Sequence, residues 1–242
     1  MKIHFVWIVC CGLLMAGTTF AQILQLQPEW QSLNIQQTVD PVFPYRLQEL
    51  GVTNGEARVA INTDTTGKLM ECLVVGYTRP EFADEAVVVI KQWKFEPARL
   101  RGEPVGTTVE LLFSYEARGV VVSTLNPIDS IEKRISQIIG EHYIYQPCSL
   151  RELDRIPTPV VTVKPYYPGE LADKGVKGKV TVDFYIDETG TVRMPAVSMK
   201  DDVELTALAV VALRQWKFEP PTRNGRPVLV KASQVFYFGP SS

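Results

Sequence analysis

The sequence predicts an α+β protein built from two tandem α-β-β-α-β domains. Each would be a small three-stranded antiparallel sheet with helices packed on one face. Three observations predict this. The hexamer Gln-Trp-Lys-Phe-Glu-Pro occurs at residues 92–97 and again, letter for letter, at 215–220. It sits inside a longer repeat, in which PVFPYRLQELGV from Pro41 matches PYYPGELADKGV from Pro165, and GEARVAINTDTTG from Gly55 matches GKVTVDFYIDETG from Gly178. Within each copy, apolar residues alternate in some stretches and recur at helical spacing in others. Self-similarity on this scale means a duplicated domain, because solenoid repeats have periods of about 20–50 residues.

The elements follow in chain order. Residues 1–21 have the layout of a secretory signal peptide: a basic start, an apolar run from Phe5 to Gly17, and small residues Thr19 and Ala21 before Gln22. That run has 13 residues, short of the roughly 20 that a spanning helix needs. Retention of this segment as an anchor is the alternative. Residues 22–40 form a lead-in. Copy one, residues 41–117, opens with Pro44, tolerated in a first helical turn, and a short helix that stops at Gly51; Pro168 and Gly175 do the same in copy two. Alternation of Ala57, Val59 and Ile61, and of Val180, Val182, Phe184 and Ile186, predicts the first strand. The Asp-x-x-Gly stretches starting at Asp64 and Asp187 are turns, where Asp bonds its own backbone and Gly takes positive φ.

A second strand is expected over Leu69–Val75 and Val192–Ser198. Phe82, Ala86, Val89, Ile90 and Trp93 then fall on one face of an amphipathic helix, as do Leu205, Ala209, Ala212, Leu213 and Trp216. Pro97 and Pro220 would end these helices, with Phe95 and Phe218 closing the core beneath. A turn and a last strand follow, Val105–Tyr115 and Val228–Phe238. Between the copies, residues 118–164 read as a linker. It contains one amphipathic helix carrying Ile128, Ile131, Ile135 and Ile138. Copy two occupies residues 165–239.

Several chemistries are disfavoured. A formal net charge of −2 with no basic run does not suit a nucleic-acid surface. Beyond the signal the only histidine is His142, and no nucleophile, zinc or phosphate-binding motif accompanies it. No enzyme activity, metal, cofactor or small-molecule substrate is therefore expected. Glu96 and Glu219 are expected to bond local backbone N–H groups. Cys72 and Cys148 would remain after cleavage, and an exported protein permits a disulfide between them; two buried small side chains are the other reading. What the chain offers is strand edges, which bind extended peptides through main-chain hydrogen bonds. The last strand, VLVKASQVFYF, is long and nearly uncharged. It suits either such an edge or pairing within the protein, and both remain open.

The combined pattern of Pro-x-Tyr-Pro, Asp-x-x-Gly, Trp-x-Phe-Glu-Pro and Gly-x-Pro-Val resembles the C-terminal domain of TonB-family proteins. Copy two fits best; copy one has Phe43 where Tyr167 stands in copy two. The resemblance implies a periplasmic domain that docks on the box peptide of outer-membrane TonB-dependent transporters. It places the peptide on the last strand, here Val228, Val230, Ala232, Gln234, Val235, Phe236, Tyr237 and Phe238, with Tyr167 and Pro168 near the groove. A transducer of this class needs a permanent inner-membrane helix and a long spacer. From Gln22 to Pro41 the chain spans 19 residues, about 65 Å when fully extended. The expectation is a soluble or loosely tethered periplasmic binding protein. A membrane-anchored energy transducer, and an envelope scaffold or homodimer paired through the same edges, are the alternatives.

Overall fold

A computed structural model of the 242-residue chain describes residues 30–125, 143–197 and 203–239. Copy one runs β1 (Trp30–Gln31), β2 (Asn34–Gln37), α1 (Tyr45–Glu49), β3 (Asn54–Thr63), β4 (Leu69–Tyr77), α2 (Pro80–Ile90), β5 (Lys94–Glu96), β6 (Ala98–Leu100), β7 (Glu103–Val105), β8 (Thr107–Glu116) and β9 (Gly119–Leu125). Copy two runs from a 3₁₀ turn at Leu150–Glu152 through β10 (Pro159–Val161), α3 (Gly169–Asp173), β11 (Gly178–Ile186), β12 (Val192–Val197), α4 (Val203–Leu213), β13 (Lys217–Phe218), β14 (Thr222–Arg223), β15 (Arg226–Pro227) and β16 (Val230–Phe238). The main sheets are ordered β4-β3-β8-β9 and β12-β11-β16, with antiparallel neighbours. The α+β architecture with small antiparallel sheets is as expected, in two copies. The expected signal segment, the helix of Ile128–Ile138 and His142 lie outside the described residues.

Each element forms for a local reason. Pro44 and Pro168 cap α1 and α3 at φ −59° and −60°, which the pyrrolidine ring enforces. Gly51 and Gly175 end those helices at φ +74° and +65°. The alternating residues of β3 and β11 point into separate cores. Ala57, Val59 and Ile61 meet Phe82, Ala86, Val89 and Ile90 of α2; Val180, Val182, Phe184 and Ile186 meet Leu205, Ala209 and Leu213 of α4.

The two Asp turns are congruent. Asp64 Oδ1 accepts from the Thr66 N–H at 2.8 Å and the Lys68 N–H at 3.0 Å; Asp187 Oδ1 accepts from Thr189 at 3.0 Å and Thr191 at 2.9 Å. These bonds, led by the Thr66 hydroxyl, hold the Asp64 carboxyl below its ordinary range.

The hexamer departs from expectation. The long helices end at Ile90 and Leu213, and the tryptophans stand in the turn beyond them. Pro97 and Pro220 are therefore not their terminators. The Lys91 N–H closes α2 onto the carbonyl of Val87, and the chain then switches to strand. β5 pairs with β2, matching Phe95 to Ile35, and β13 pairs with β10, matching Phe218 to Pro159. Each indole N–H donates to the lead-in of its own copy: Trp93 to the Val39 carbonyl at 2.9 Å, Trp216 to that of Val163 at 2.8 Å. Glu96 and Glu219 also hold lead-in residues, through Asn34 and Arg155; among the described residues neither carboxylate takes a local backbone N–H. The lead-ins are thus parts of the two folds.

The faces away from the helices pack on one another. Ala60 and Val75 of copy one form a buried cluster with Tyr185, Met194 and Leu229 of copy two, flanked by Leu73 and Tyr145. Glu71 accepts from Arg193 Nε at 2.5 Å and lies 3.9 Å from Arg214, while Arg193 also reaches Asp187 at 3.4 Å. A strap at residues 143–148 crosses between the copies. The Tyr145 carbonyl accepts from the Tyr77 N–H at 3.0 Å, and the Cys148 N–H donates to the Leu229 carbonyl at 2.8 Å. The Tyr145 ring stacks on Tyr77 at 5.1 Å and its hydroxyl donates to Glu188 at 2.6 Å.

This joint has a measurable consequence. Glu71→Ala removes charge-assisted hydrogen bonds worth about 2 kcal/mol. In calorimetry the variant is expected to lose the coupled unfolding of the two copies and to show two separated transitions.

Candidate functional site

Among the described residues, the strand β16 has a full ladder on one side only. Its nine residues match β11 from Gly178 opposite Phe238 to Ile186 opposite Val230. On the outer side, Val230 makes one parallel bridge to Cys148. Beyond that, among the described residues, no strand pairs with Lys231–Phe238. The backbone N–H and C=O groups along that edge are unclaimed by a ladder, which makes it a template for another strand.

Side chains along β16 alternate, as a strand requires. Val230, Phe236 and Phe238 are buried in the core of copy two, with Ala232 partly buried beside them. Gln234 shares their side. Its amide Nε2 donates to the Val235 carbonyl at 2.8 Å. The opposite row is more polar: Ser233 donates to Asp183, the Lys231 ammonium sits 6.0 Å from the centre of the Tyr185 ring, and Tyr237 is 79% exposed. Lys231 is the only charged residue on the strand.

The residues named from the sequence thus divide. Val230, Phe236 and Phe238 have their side chains committed to the core, so they can offer a partner only main chain. Val228 precedes the strand, and its N–H donates to the Pro221 carbonyl at 2.9 Å. Tyr167 packs on Phe238 with ring centres 6.2 Å apart, and its hydroxyl donates to the Val176 carbonyl. With Pro168 at the cap of α3, it props the far end of β16 from the core side. Trp93, Phe95 and Phe218 are buried, and Trp216 is half-buried.

Copy one differs at the equivalent place. There β8 carries β3 on one side and β9 on the other, paired from Gly119 opposite Glu116 to Leu125 opposite Glu110. Residues 118–125 were expected to be linker; instead they return as a fourth strand. The signal was present: a turn at Ala117–Arg118 followed by the β-branched run Gly-Val-Val-Val-Ser-Thr is a hairpin pattern. The two copies join through sheet faces and the strap; among the described residues no strand of copy one pairs with the β16 edge.

Cys72 and Cys148 are both free thiols, so the disulfide considered above is not formed. Cys72 packs against the core of copy one, and burial pushes its thiol up to about 11. Cys148 is buried at the strap, where Arg223 Nη1 approaches its sulfur at 3.8 Å. Among the described residues no cluster of His, Cys, Asp and Glu could hold a metal ion, and no helix is long and apolar enough to cross a membrane.

A sequence model described as "Gram-negative bacterial TonB protein C-terminal" matches this chain twice, at residues 39–117 and 163–240. The solution NMR structure of the Pseudomonas aeruginosa TonB CTD is similar at 26% identity, over 39% of this chain and 95% of that one, with a TM-score of 0.33. No curated protein matches.

Proposed function

This chain belongs to the Gram-negative bacterial TonB C-terminal family through both of its repeats, and from that membership we propose that it is a periplasmic protein-interaction protein. It takes an extended segment of an outer-membrane TonB-dependent transporter as an added strand on the outer edge of β16. Copy two is the binding copy and copy one is its rigid platform. The observation that supports this reading is the difference between the copies: among the described residues β8 has a ladder on both sides, β16 on one. Strand addition draws its affinity from main-chain hydrogen bonds. It therefore suits an edge whose larger side chains are already committed to the core. The protein carries out no chemistry of its own in this reading, and needs no cofactor.

Two measurements test it. A photo-crosslinking residue in place of Tyr237, in the full chain in a Gram-negative cell, is expected to yield a covalent product with an outer-membrane transporter. A product confined to other proteins overturns the reading. Proline at Gln234 and, separately, at Val235 probes the edge itself. N–H directions alternate along a strand, so one variant loses an outward donor while keeping its bonds to β11. That variant is expected to fold, by circular dichroism, and to lose the crosslink. Retention of the crosslink in both variants counts against strand addition.

A further inference from the structure

Apolar surface remains on the helix side of copy two after its core is closed. Of the eleven residues of α4, only Glu204 is charged and only Thr206 is otherwise polar. A helix that is apolar on all sides belongs in a buried setting. Here Leu205, Ala209, Ala212 and Leu213 face the core, while Ala207 is exposed and Val211 is 60% exposed. The outer row of α4 therefore lies open among the described residues.

Copy one shows the same row in a form suited to water. Aligned on Trp93 and Trp216, α2 and the residue after it carry Glu81, Asp84, Val88 and Lys91 where α4 and its following turn carry Glu204, Ala207, Val211 and Arg214. Arg214 continues the helical path, its N–H donating to the Val210 carbonyl at 3.0 Å. Beside the row in copy one, Glu85 accepts from the Val42 N–H at 3.0 Å. Leu208 and Tyr166 hold those two places in copy two, and Tyr166 is exposed. Two acids at the middle of the helix are thus replaced by Ala and Leu, while the charges at its two ends are kept.

From this we infer that two copies of the chain pair through the outer faces of α4, antiparallel about a two-fold axis. Glu204, Ala207, Val211 and Arg214 are spaced by three, four and three residues, which makes one stripe on a helix. The stripe is self-complementary. An axis at the level of Ala209 sets Glu204 opposite the partner's Arg214 and Ala207 opposite the partner's Val211. Each charge meets its opposite. Each valine meets an alanine, small enough to let the helices approach to the near end of the roughly 8–10 Å range of helix packing. Every contact is made twice, as a closed two-fold interface requires. The Arg214 side chain is 46% exposed and only 3.9 Å from Glu71 at its nearest approach, so it keeps donors for the pair. On α2 the same arrangement would press Asp84 of each copy into the apolar seam, where an unpaired carboxylate is costly. The pairing is therefore confined to copy two. Since α4 lies over β11 and β12, it leaves the outer edge of β16 outside the interface.

The test is sedimentation equilibrium of the full chain, for which a monomer–dimer equilibrium is expected. Ala207→Asp gives α4 the residue that α2 carries. It is expected to weaken pairing about a hundredfold, tenfold for each carboxylate brought into the seam. Its circular dichroism is expected to match the parent, because α2 folds with aspartate at that place. Glu204→Arg is expected to weaken pairing, and adding Arg214→Glu to it is expected to restore pairing, since the facing charges are again opposite. A photo-crosslinking residue in place of Val211 is expected to give a product of twice the chain mass. A monomer at every concentration, an Ala207→Asp variant that pairs as the parent does, or a double charge variant that does not recover would each overturn the inference. So would a Val211 product formed within one chain or with another protein. A dimer lost in the folded one of the two β16 proline variants would also overturn it, because that dimer is joined edge to edge.

Discussion

Trp93→Ala is expected to lower the stability of copy one by about 3–5 kcal/mol, the range for truncating a large aromatic in a packed core. The indole is 6% exposed. It stacks on Phe113 at 5.7 Å between ring centres and leans on Phe95 at 6.3 Å. Its N–H holds the Val39 carbonyl, and that bond ties the lead-in to the sheet. Alanine removes the packing and the tether together, leaving the Val39 carbonyl without its donor. Urea denaturation followed by near-ultraviolet circular dichroism would measure the loss. Trp93→Phe is expected to recover most of the packing and to remain about 1 kcal/mol below the parent, the net value of one hydrogen bond. Trp216→Ala is expected to cost less than Trp93→Ala, because Trp216 is only half-buried. A fully stable Trp93→Ala variant would mean that the hexamer does not hold this fold.

Gly190→Ala is expected to cost about 3 kcal/mol for reasons unrelated to cavities. Gly190 sits at φ +80°, where a side chain costs about 1–2 kcal/mol. An added Cβ would also lie 2.0 Å from the Phe218 carbonyl oxygen, an approach no carbon tolerates. The Asp187 turn must then lift off the hexamer, breaking the 2.9 Å bond from the Phe218 N–H to the Gly190 carbonyl, worth about 1 kcal/mol. Gly175→Ala is the control. Its φ is also positive, at +65°, but nothing lies within 4 Å of the added carbon, so about 1 kcal/mol is expected. Equal losses in the two variants, by thermal denaturation, would show that close approach plays no part. Gly67 stands 2.2 Å from the Phe95 carbonyl by the same measure, so the contact between turn and hexamer is built twice.

That contact shows how far the sequence could be read. The Asp turns, the positive-φ glycines, the short helices behind Pro44 and Pro168, and the alternating residues of β3 and β11 were all visible, because each depends on neighbours a few positions away. Placing Trp93 on the helix was an error of the same local logic: its spacing fits the apolar face of α2, yet the chain leaves the helix after Ile90 to pair with β2. That pairing joins Phe95 to Ile35, and no periodicity in a three-residue strand announces it. β9 was passed over because a run of valines between two domains reads as easily as linker as it does as strand. The proposed edge was approached in the sequence through the side chains of its last strand. In the fold, Val230, Phe236 and Phe238 face inward, which leaves main chain and the opposite row, with Tyr237 exposed, on the outside.

By itself, then, the sequence determined that the chain is a duplicated α+β unit, and which face of each strand and helix would be buried. Apolar periodicity carries that information, and it is local. Only the tertiary structure decided that the rear faces of the two sheets close on one another, that the strap stitches Tyr77 to Leu229, and that among the described residues β8 carries a second ladder while β16 does not. The first rests on side chains far apart in the chain, Ala60 and Val75 against Tyr185, Met194 and Leu229; the other two depend on main-chain hydrogen bonds, whose donors and acceptors are the same at nearly every residue. Which strand finds which edge is settled by the path of the whole chain.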